Sequence, residues 1–203
     1  MFAIAYKKLV STRRTAWRAI TALEAEESLK KTRNVEIIRY YKEKIEEEIK
    51  EYCRDILHTI DITFSKEKFP KKDKIYFLKM QGDYYRYLSE ITLGEEHKKN
   101  SSQALKFYQK ALEKAEQLNV GLNPTEPLRL GLCLNFSVFH YEIMSDVKEA
   151  CSVAKKAFDA AIENLDKLDE GEYKDSTTIM QLLRDNMTMW MGEQNEDDDK
   201  KKK

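Results

Sequence analysis

Asn123-Pro-Thr-Glu-Pro-Leu-Arg-Leu-Gly-Leu-Cys-Leu-Asn-Phe-Ser-Val-Phe-His-Tyr-Glu142 is where the architecture of this chain is most readable. The prolines at 124 and 127 mark a helix stop and a capped restart, because a proline inside the first helical turn loses no hydrogen bond. After Pro127, Leu128, Leu132, Asn135 and Phe139 recur at intervals of three and four, the signature of one helical face. The same periodicity extends outward in both directions, and six glycines and three prolines in 203 residues leave few places to turn. The pattern predicts seven helices, near 2–25, 34–62, 73–92, 101–118, 127–144, 147–167 and 175–191. Their breaks are punctuated by Phe69-Pro70, by Gly94, by Gly121 to Pro127, and by Asp146 with Glu149 as an N-cap pair. The fold class is all-α. Past Trp190 the composition collapses into Glu, Gln, Asn, Asp and Lys, which predicts a disordered charged tail over 192–203.

Composition narrows the function. Lys+Arg and Asp+Glu both number 36, so the net charge is zero and a uniformly basic nucleic-acid binder is excluded. Mean hydropathy is −0.69. The longest uncharged run, Leu130 to Tyr141, has twelve residues, against the roughly 20 a spanning helix needs. No membrane insertion is expected. The start resembles no secretory signal, and Cys53, Cys133 and Cys151 form no CxxC pair. The expectation is a reduced, cytoplasmic setting, with the closing lysines raising a nuclear alternative. His58, His97 and His140 lack ligand spacing, so no metal and no cofactor is expected. No phosphate-cradling glycine loop, GxSxG, HExxH or Cys/His pair is present, which argues against an enzyme.

Charge is placed unevenly. Between Met1 and Arg18 there are five basic residues, Lys7, Lys8, Arg13, Arg14 and Arg18, and no acid. On a helix, Lys7, Arg14 and Arg18 fall within about 40° of one another, while Tyr6, Val10 and Trp17 form a second, core-facing stripe. A merely solvated face would interleave acids for i,i+4 support. Further on, Lys79, Asp83 and Arg86 stand at i, i+4 and i+7, with Tyr87 beside them. An ammonium, a guanidinium and a phenol suit a phosphate, and the aspartate would orient the arginine when the site is empty. An internal ion pair of Asp83 with its basic neighbours is the equal alternative.

Two asparagines stand on apolar faces. Asn135 shares a stripe with Leu128, Leu132 and Phe139, with Glu142 two turns on, and Asn186 sits among Ile179, Leu182, Leu183 and Trp190. A buried amide without partners costs about 1–3 kcal/mol. A bond to neighbouring backbone is the ordinary explanation. The functional one is an amide that pairs with the main chain of an extended peptide in a half-apolar groove.

Ala5-Tyr-Lys-Lys, Thr12-Arg-Arg-Thr-Ala-Trp-Arg, Tyr76-Phe-Leu-Lys-Met-Gln-Gly-Asp-Tyr-Tyr-Arg-Tyr-Leu, Arg129-Leu-Gly-Leu-Cys-Leu-Asn-Phe-Ser-Val-Phe and Tyr173-Lys-Asp-Ser-Thr-Thr-Ile-Met-Gln-Leu-Leu-Arg-Asp-Asn resemble 14-3-3 proteins, in order and from Ala5 to Trp190. The resemblance implies an antiparallel helical array and an adaptor that binds phosphoserine or phosphothreonine in partner proteins, a recognised mode of Arg-cluster recognition. By resemblance, Lys7, Arg14, Arg86 and Tyr87 bind the phosphate, and Asn135 and Asn186 hold the peptide backbone. Lys79, Gly131, Leu134, Val138, Glu142, Ile179, Leu182 and Trp190 line the groove. A domain over 1–191 is implied.

Family members have nine helices, and this chain resembles the family from its third onward, so the resemblance implies about seven. The two amino-terminal helices supply half of the family's homo- or heterodimer contact. Tyr41, Lys44 and Glu48, at i, i+3 and i+7, match the other half; a local pair between Lys44 and Glu48 is the plain alternative. The expectation is poor dimerisation with some apolar surface bare, or a truncated form with impaired binding. A tetratricopeptide-like scaffold that binds peptides without phosphate is the remaining alternative. Ala104 to Ala115 and Ala150 to Ile162 have its flavour, without its roughly 34-residue period.

Overall fold

A computed structural model describes residues 2–30, 33–66, 69–117, 121–168 and 170–201. The chain is all-α. Its elements are α1 (Phe2–Lys30), α2 (Val35–Lys66), α3 (Lys71–Ile91), α4 (Gly94–Glu116), α5 (Pro127–Glu142), α6 (Val147–Ile162) and α7 (Tyr173–Lys201), with a 3₁₀ turn at Leu165–Lys167. The expected seven helices are all present.

Five helices depart clearly from their expected bounds. α1 and α2 run to Lys30 and Lys66, beyond 25 and 62. α4 starts at Gly94 rather than at 101. Gly94, with φ of +59°, supplies the left-handed residue at the break. Glu95 and Glu96 then sit in the first turn, where the helix dipole favours acids. α6 ends at Ile162, with a 3₁₀ turn following. α7 continues helical to Lys201, where the composition predicts a tail from 192; the segment holds Glu, Gln and Lys, good helix formers, and a single glycine. The last two residues of that tail lie outside the described residues.

The chain forms two compact units. The first comprises Met1–Lys68 and Tyr84–Asn100, the second Phe69–Asp83 and Ser101–Lys203. In the first unit α1 packs on α2. Ile49, Cys53, Ile56 and Ile60 recur along the buried face of α2 at heptad-like spacing and are fully inaccessible, as is Val10 of α1. The indole of Trp17 donates to Glu46 at 2.8 Å, which holds the second expected stripe of α1 against α2.

In the second unit α5, α6 and α7 pack together. Their core holds Leu130, Ala150, Ala154, Ala161, Met180, Leu183 and Trp190. Asp146 caps α6 by accepting from the Glu149 backbone N–H at 3.0 Å, the pairing expected from sequence. The restart at α5 is organised differently from a simple cap. Glu126, at the N-cap, makes no side-chain cap bond. Instead Asn123 Oδ1 accepts from the Thr125 N–H and hydroxyl, while Glu126 accepts from the Asn123 N–H at 2.9 Å. The Ser176 hydroxyl of α7, wholly buried, donates to the Thr125 carbonyl at 2.7 Å and ties this turn to the last helix.

Candidate functional site

The first unit holds a cluster of cations around one tyrosine. The Arg14 guanidinium carbon lies 4.1 Å from the centre of the Tyr87 ring, and that of Arg86 lies 4.8 Å from the same centre. Two positive charges therefore share one π-face donor, an arrangement that desolvation strengthens. Arg14 comes from α1, while Arg86 and Tyr87 are consecutive on α3, where Arg86 is buried. Three of the four residues expected to form the phosphate set are thus brought together. Lys7, the fourth, is exposed on α1 two turns before Arg14.

Glu90 is the member of this cluster that the spacing argument misses. Its carboxylate accepts from Arg14 Nε at 2.6 Å and from Arg18 Nε at 2.7 Å. Burial pushes the Glu90 carboxyl up, but the hydrogen bonds and charges of Arg14 and then Arg18 outweigh it and hold it below its ordinary range. One negative charge thus serves two guanidinium groups. Glu90 stands four residues after Arg86 on α3, so i,i+4 spacing could have drawn attention to it.

Asp83 accepts from donors on α3, α4 and α5. It belongs to the second unit, and its Oδ2 receives Lys79 Nζ at 2.8 Å. Its Oδ1 accepts from the Tyr108 hydroxyl and from Asn135 Nδ2, each at 2.7 Å. The internal ion pair with a basic neighbour is therefore present. Asn135 is bonded to a carboxylate on another helix, not to neighbouring backbone.

Asn135 is half-buried on α5, and Leu132 and Phe139 of its stripe are fully buried. Lys79 and Ile179 approach one point on α5: a Cβ added to Gly131 would stand 3.9 Å from Lys79 Cε and 4.0 Å from Ile179 Cδ1. Leu134, Val138 and Ile179 pack against the unit's core from its edge. Leu182 and Glu142 are exposed, and Asn186 is half-buried on α7. Trp190 lies within the core at 1% exposure, its ring stacked 4.9 Å from that of Tyr141. Its indole N–H has no hydrogen-bond partner among the described residues. Tyr141 in turn donates to Glu193.

On α2, Tyr41 is 58% exposed and packs edge-on against Tyr40 at 5.7 Å, and Lys44 lies 5.4 Å from the Tyr40 ring. Glu48 pairs with Arg13 of α1 at 2.8 Å, rather than with Lys44. Burial pushes the Cys133 thiol up to about 12 and raises Cys53 further, so neither is a nucleophile. Among the described residues no group of His, Cys, Asp and Glu is placed to hold a metal ion, and no helix is long and apolar enough to cross a membrane.

The 14-3-3 protein family profile matches residues 1–191. The chain belongs to the 14-3-3 family. The 14-3-3 protein 2 of Entamoeba histolytica is 47% identical over 199 residues, covering 98% of this chain and 82% of its own length. The 14-3-3 protein of Giardia intestinalis is 46% identical over 206 residues, covering 100% of this chain and 82% of its own length. The 14-3-3-like protein GF14 epsilon of Arabidopsis thaliana is 45% identical over 204 residues, covering 100% and 79%. The 14-3-3 proteins are regulatory adaptors that act by binding other proteins, and dimer formation belongs to the family. The cation cluster of the first unit and the amide network of the second are this 14-3-3 chain's candidate binding residues.

Proposed function

We propose that this chain binds phosphoserine or phosphothreonine in partner proteins and so modulates their activity, location or interactions. The observation that carries the reading is the placement of Arg14 and Arg86 over one Tyr87 ring, with Glu90 shared between Arg14 and Arg18. A phosphate carries a charge of about −1.5 to −2 at pH 7 and several strong acceptor oxygens. Arg14, Arg86 and Tyr87 give it charge-assisted donors and a phenol, and Lys7, on the Arg14 face of α1, adds an ammonium. Donors that repel one another when empty discriminate against an unphosphorylated hydroxyl.

In this reading Asn135 and Asn186 hold the peptide main chain. Lys79, Gly131, Leu134, Val138, Glu142, Ile179, Leu182 and Trp190 line its path, with Trp190 acting from within the core. Tyr41, Lys44 and Glu48 carry this chain's share of the family's dimer contact. The test is fluorescence anisotropy with a labelled Arg-Ser-x-pSer-x-Pro peptide, its unphosphorylated twin, and Arg14→Ala. The expected result is binding that needs both the phosphate and Arg14. Equal binding of both peptides would refute the reading and favour a phosphate-independent helical scaffold.

A further inference from the structure

We infer that Asp83 is a positioning residue that fixes which way the Asn135 amide faces, and so sets the main-chain group that Asn135 selects in a bound peptide. The inference rests on the phosphopeptide reading above and goes beyond it to the specificity of one contact.

Asp83 is 7% exposed, and its carboxylate accepts from Lys79 Nζ at 2.8 Å on Oδ2 and from the Tyr108 hydroxyl and Asn135 Nδ2, each at 2.7 Å, on Oδ1. They come from α3, α4 and α5 respectively. An ionised carboxylate accepts and does not donate. The side of the Asn135 amide that faces it must therefore be the NH2. One N–H of Asn135 is thereby committed. Its Oδ1 and second N–H remain, held in a fixed order. That leaves an acceptor for a peptide N–H and a donor for a peptide C=O, the complement of one extended main-chain unit.

The surroundings hold Asp83 in place. Tyr108 is fully buried, its ring 5.3 Å from Phe136 and 5.6 Å from Phe139. Its ring also lies against Gly82, where a Cβ would stand 2.7 Å from Tyr108 Cδ1. Gly82 is thus the notch through which the phenol reaches the neighbouring aspartate. With the acceptor removed, the Asn135 amide is free to turn about its last torsion, and its preference for a peptide N–H over a peptide C=O is lost.

The decisive experiment scans backbone N-methylation through the phosphopeptide, one peptide bond at a time, because a methyl removes one N–H donor. In the wild-type protein one position weakens binding by about tenfold. Asn135→Ala identifies that position, since its penalty disappears there. In Asp83→Ala the same penalty shrinks to below about threefold. Lys79→Met, on the peptide's path, lowers affinity for every peptide alike and leaves the ratio between methylated and unmethylated peptides unchanged, since Asp83 Oδ1 still meets Asn135. The double variant Lys79→Met/Asp83→Asn restores it, because an amide oxygen at 83 can take the carboxylate's place once the ammonium is gone. Asp83→Leu, which fills the volume, serves if the alanine variant loses its helical circular dichroism.

A folded Asp83→Ala that loses affinity equally for every peptide while keeping the penalty overturns the inference and leaves Asp83 merely structural. If the wild-type protein binds the phosphorylated and unphosphorylated peptides alike, the phosphopeptide reading fails. The side-chain NH2 resonances of Asn135 then judge the orientation without any ligand. They shift in Asp83→Ala and hold in Lys79→Met if Asp83 turns the amide; resonances that do not move overturn it.

Discussion

Arg14 meets Glu90 through Nε, 2.6 Å from the carboxylate, and this decides which part of its guanidinium an anion can use. The fork has five N–H donors in one plane. Committing Nε to Glu90 leaves the terminal nitrogens as the anion-facing edge, and the Tyr87 ring 4.1 Å away fixes the plane. A lysine has the charge but neither the plane nor the second donor edge.

Arg14→Lys is therefore expected to behave unlike a conservative change. A lysine at 14 can satisfy Glu90 or the phosphate, and not both in the present geometry. The loss expected is that of a charge-assisted hydrogen bond, about 1.5–3 kcal/mol, which is roughly ten- to a hundredfold in phosphopeptide affinity. Anisotropy titration measures it, with circular dichroism to show the fold unchanged. An affinity within twofold of wild type would refute the role given to the fork.

The seven helices were legible because their apolar residues recur at helical spacing and the chain has few residues that turn it. Residues 94–100, Gly-Glu-Glu-His-Lys-Lys-Asn, hold no apolar residue from which to read a period, so the pattern puts the start of α4 at 101 while the helix starts at Gly94. What holds that turn is polar: His97 Nδ1 pairs with the Ser89 carbonyl at 2.8 Å, and Asn100 Nδ2 donates to the Thr92 hydroxyl at 3.3 Å. Partners eight residues apart across a helix break leave no trace in a hydrophobic pattern. The same limit explains the site. Spacing and resemblance selected Arg14, Arg86 and Tyr87, which the fold brings together. Spacing could not say that Arg14 of α1 meets Glu90 of α3, or that the donor to Asp83 from α4 is Tyr108. Those pairings depend on which helices become neighbours.

Gly82→Ala should destabilise the protein despite alanine's better helix propensity. The new Cβ would stand 2.7, 2.8 and 3.0 Å from Cδ1, Cε1 and Cγ of Tyr108, a ring pinned by Phe136 and Phe139. Overpacking a rigid core costs about 1–3 kcal/mol, against about 1 kcal/mol gained from replacing glycine in a helix. A net loss of up to about 2 kcal/mol is expected in urea unfolding. In the Tyr108→Leu background the penalty should fall, since the obstructing ring is gone, and a double-mutant cycle reads the coupling.

Acid should destabilise the chain in two steps with separate origins. His140 is buried, with an Nδ1 that has no partner among the described residues, and its ring contacts those of Phe136 and Phe139. Burial lowers its pKa, and Glu149 and Asp146 only partly oppose this. Below about pH 6.5 the unfolded chain protonates this histidine before the folded one does, so stability is lost as pH falls from there. Glu90, also held below its ordinary value, contributes stability above about pH 4.3 that is lost as pH falls further. His140→Phe should flatten the melting temperature between pH 7.5 and 5.5 and leave the lower step intact. An unchanged slope across that upper range would show that His140 does not titrate on unfolding as described.

Ser145 stands between α5 and α6 with φ of +54°, the one non-glycine residue in the left-handed region among those described. The conformation is imposed by the turn: the Met144 N–H donates to the Phe139 carbonyl at 3.2 Å, and the Asp146 N–H reaches back to the His140 carbonyl at 2.9 Å. These bonds close the end of α5, and Ser145 between them takes the left-handed conformation that glycine adopts most readily. A side chain there costs about 1–2 kcal/mol, and glycine would return part of that gain by loosening the unfolded chain. Ser145→Gly is expected to raise stability by about 0.5–1 kcal/mol. Ser145→Val, β-branched at the same φ, should lower it by more than about 1 kcal/mol. The Asp146 cap on α6 is untouched in both, so the difference between the two urea midpoints isolates the backbone. Equal midpoints would mean that the turn relaxes out of the left-handed region at no cost.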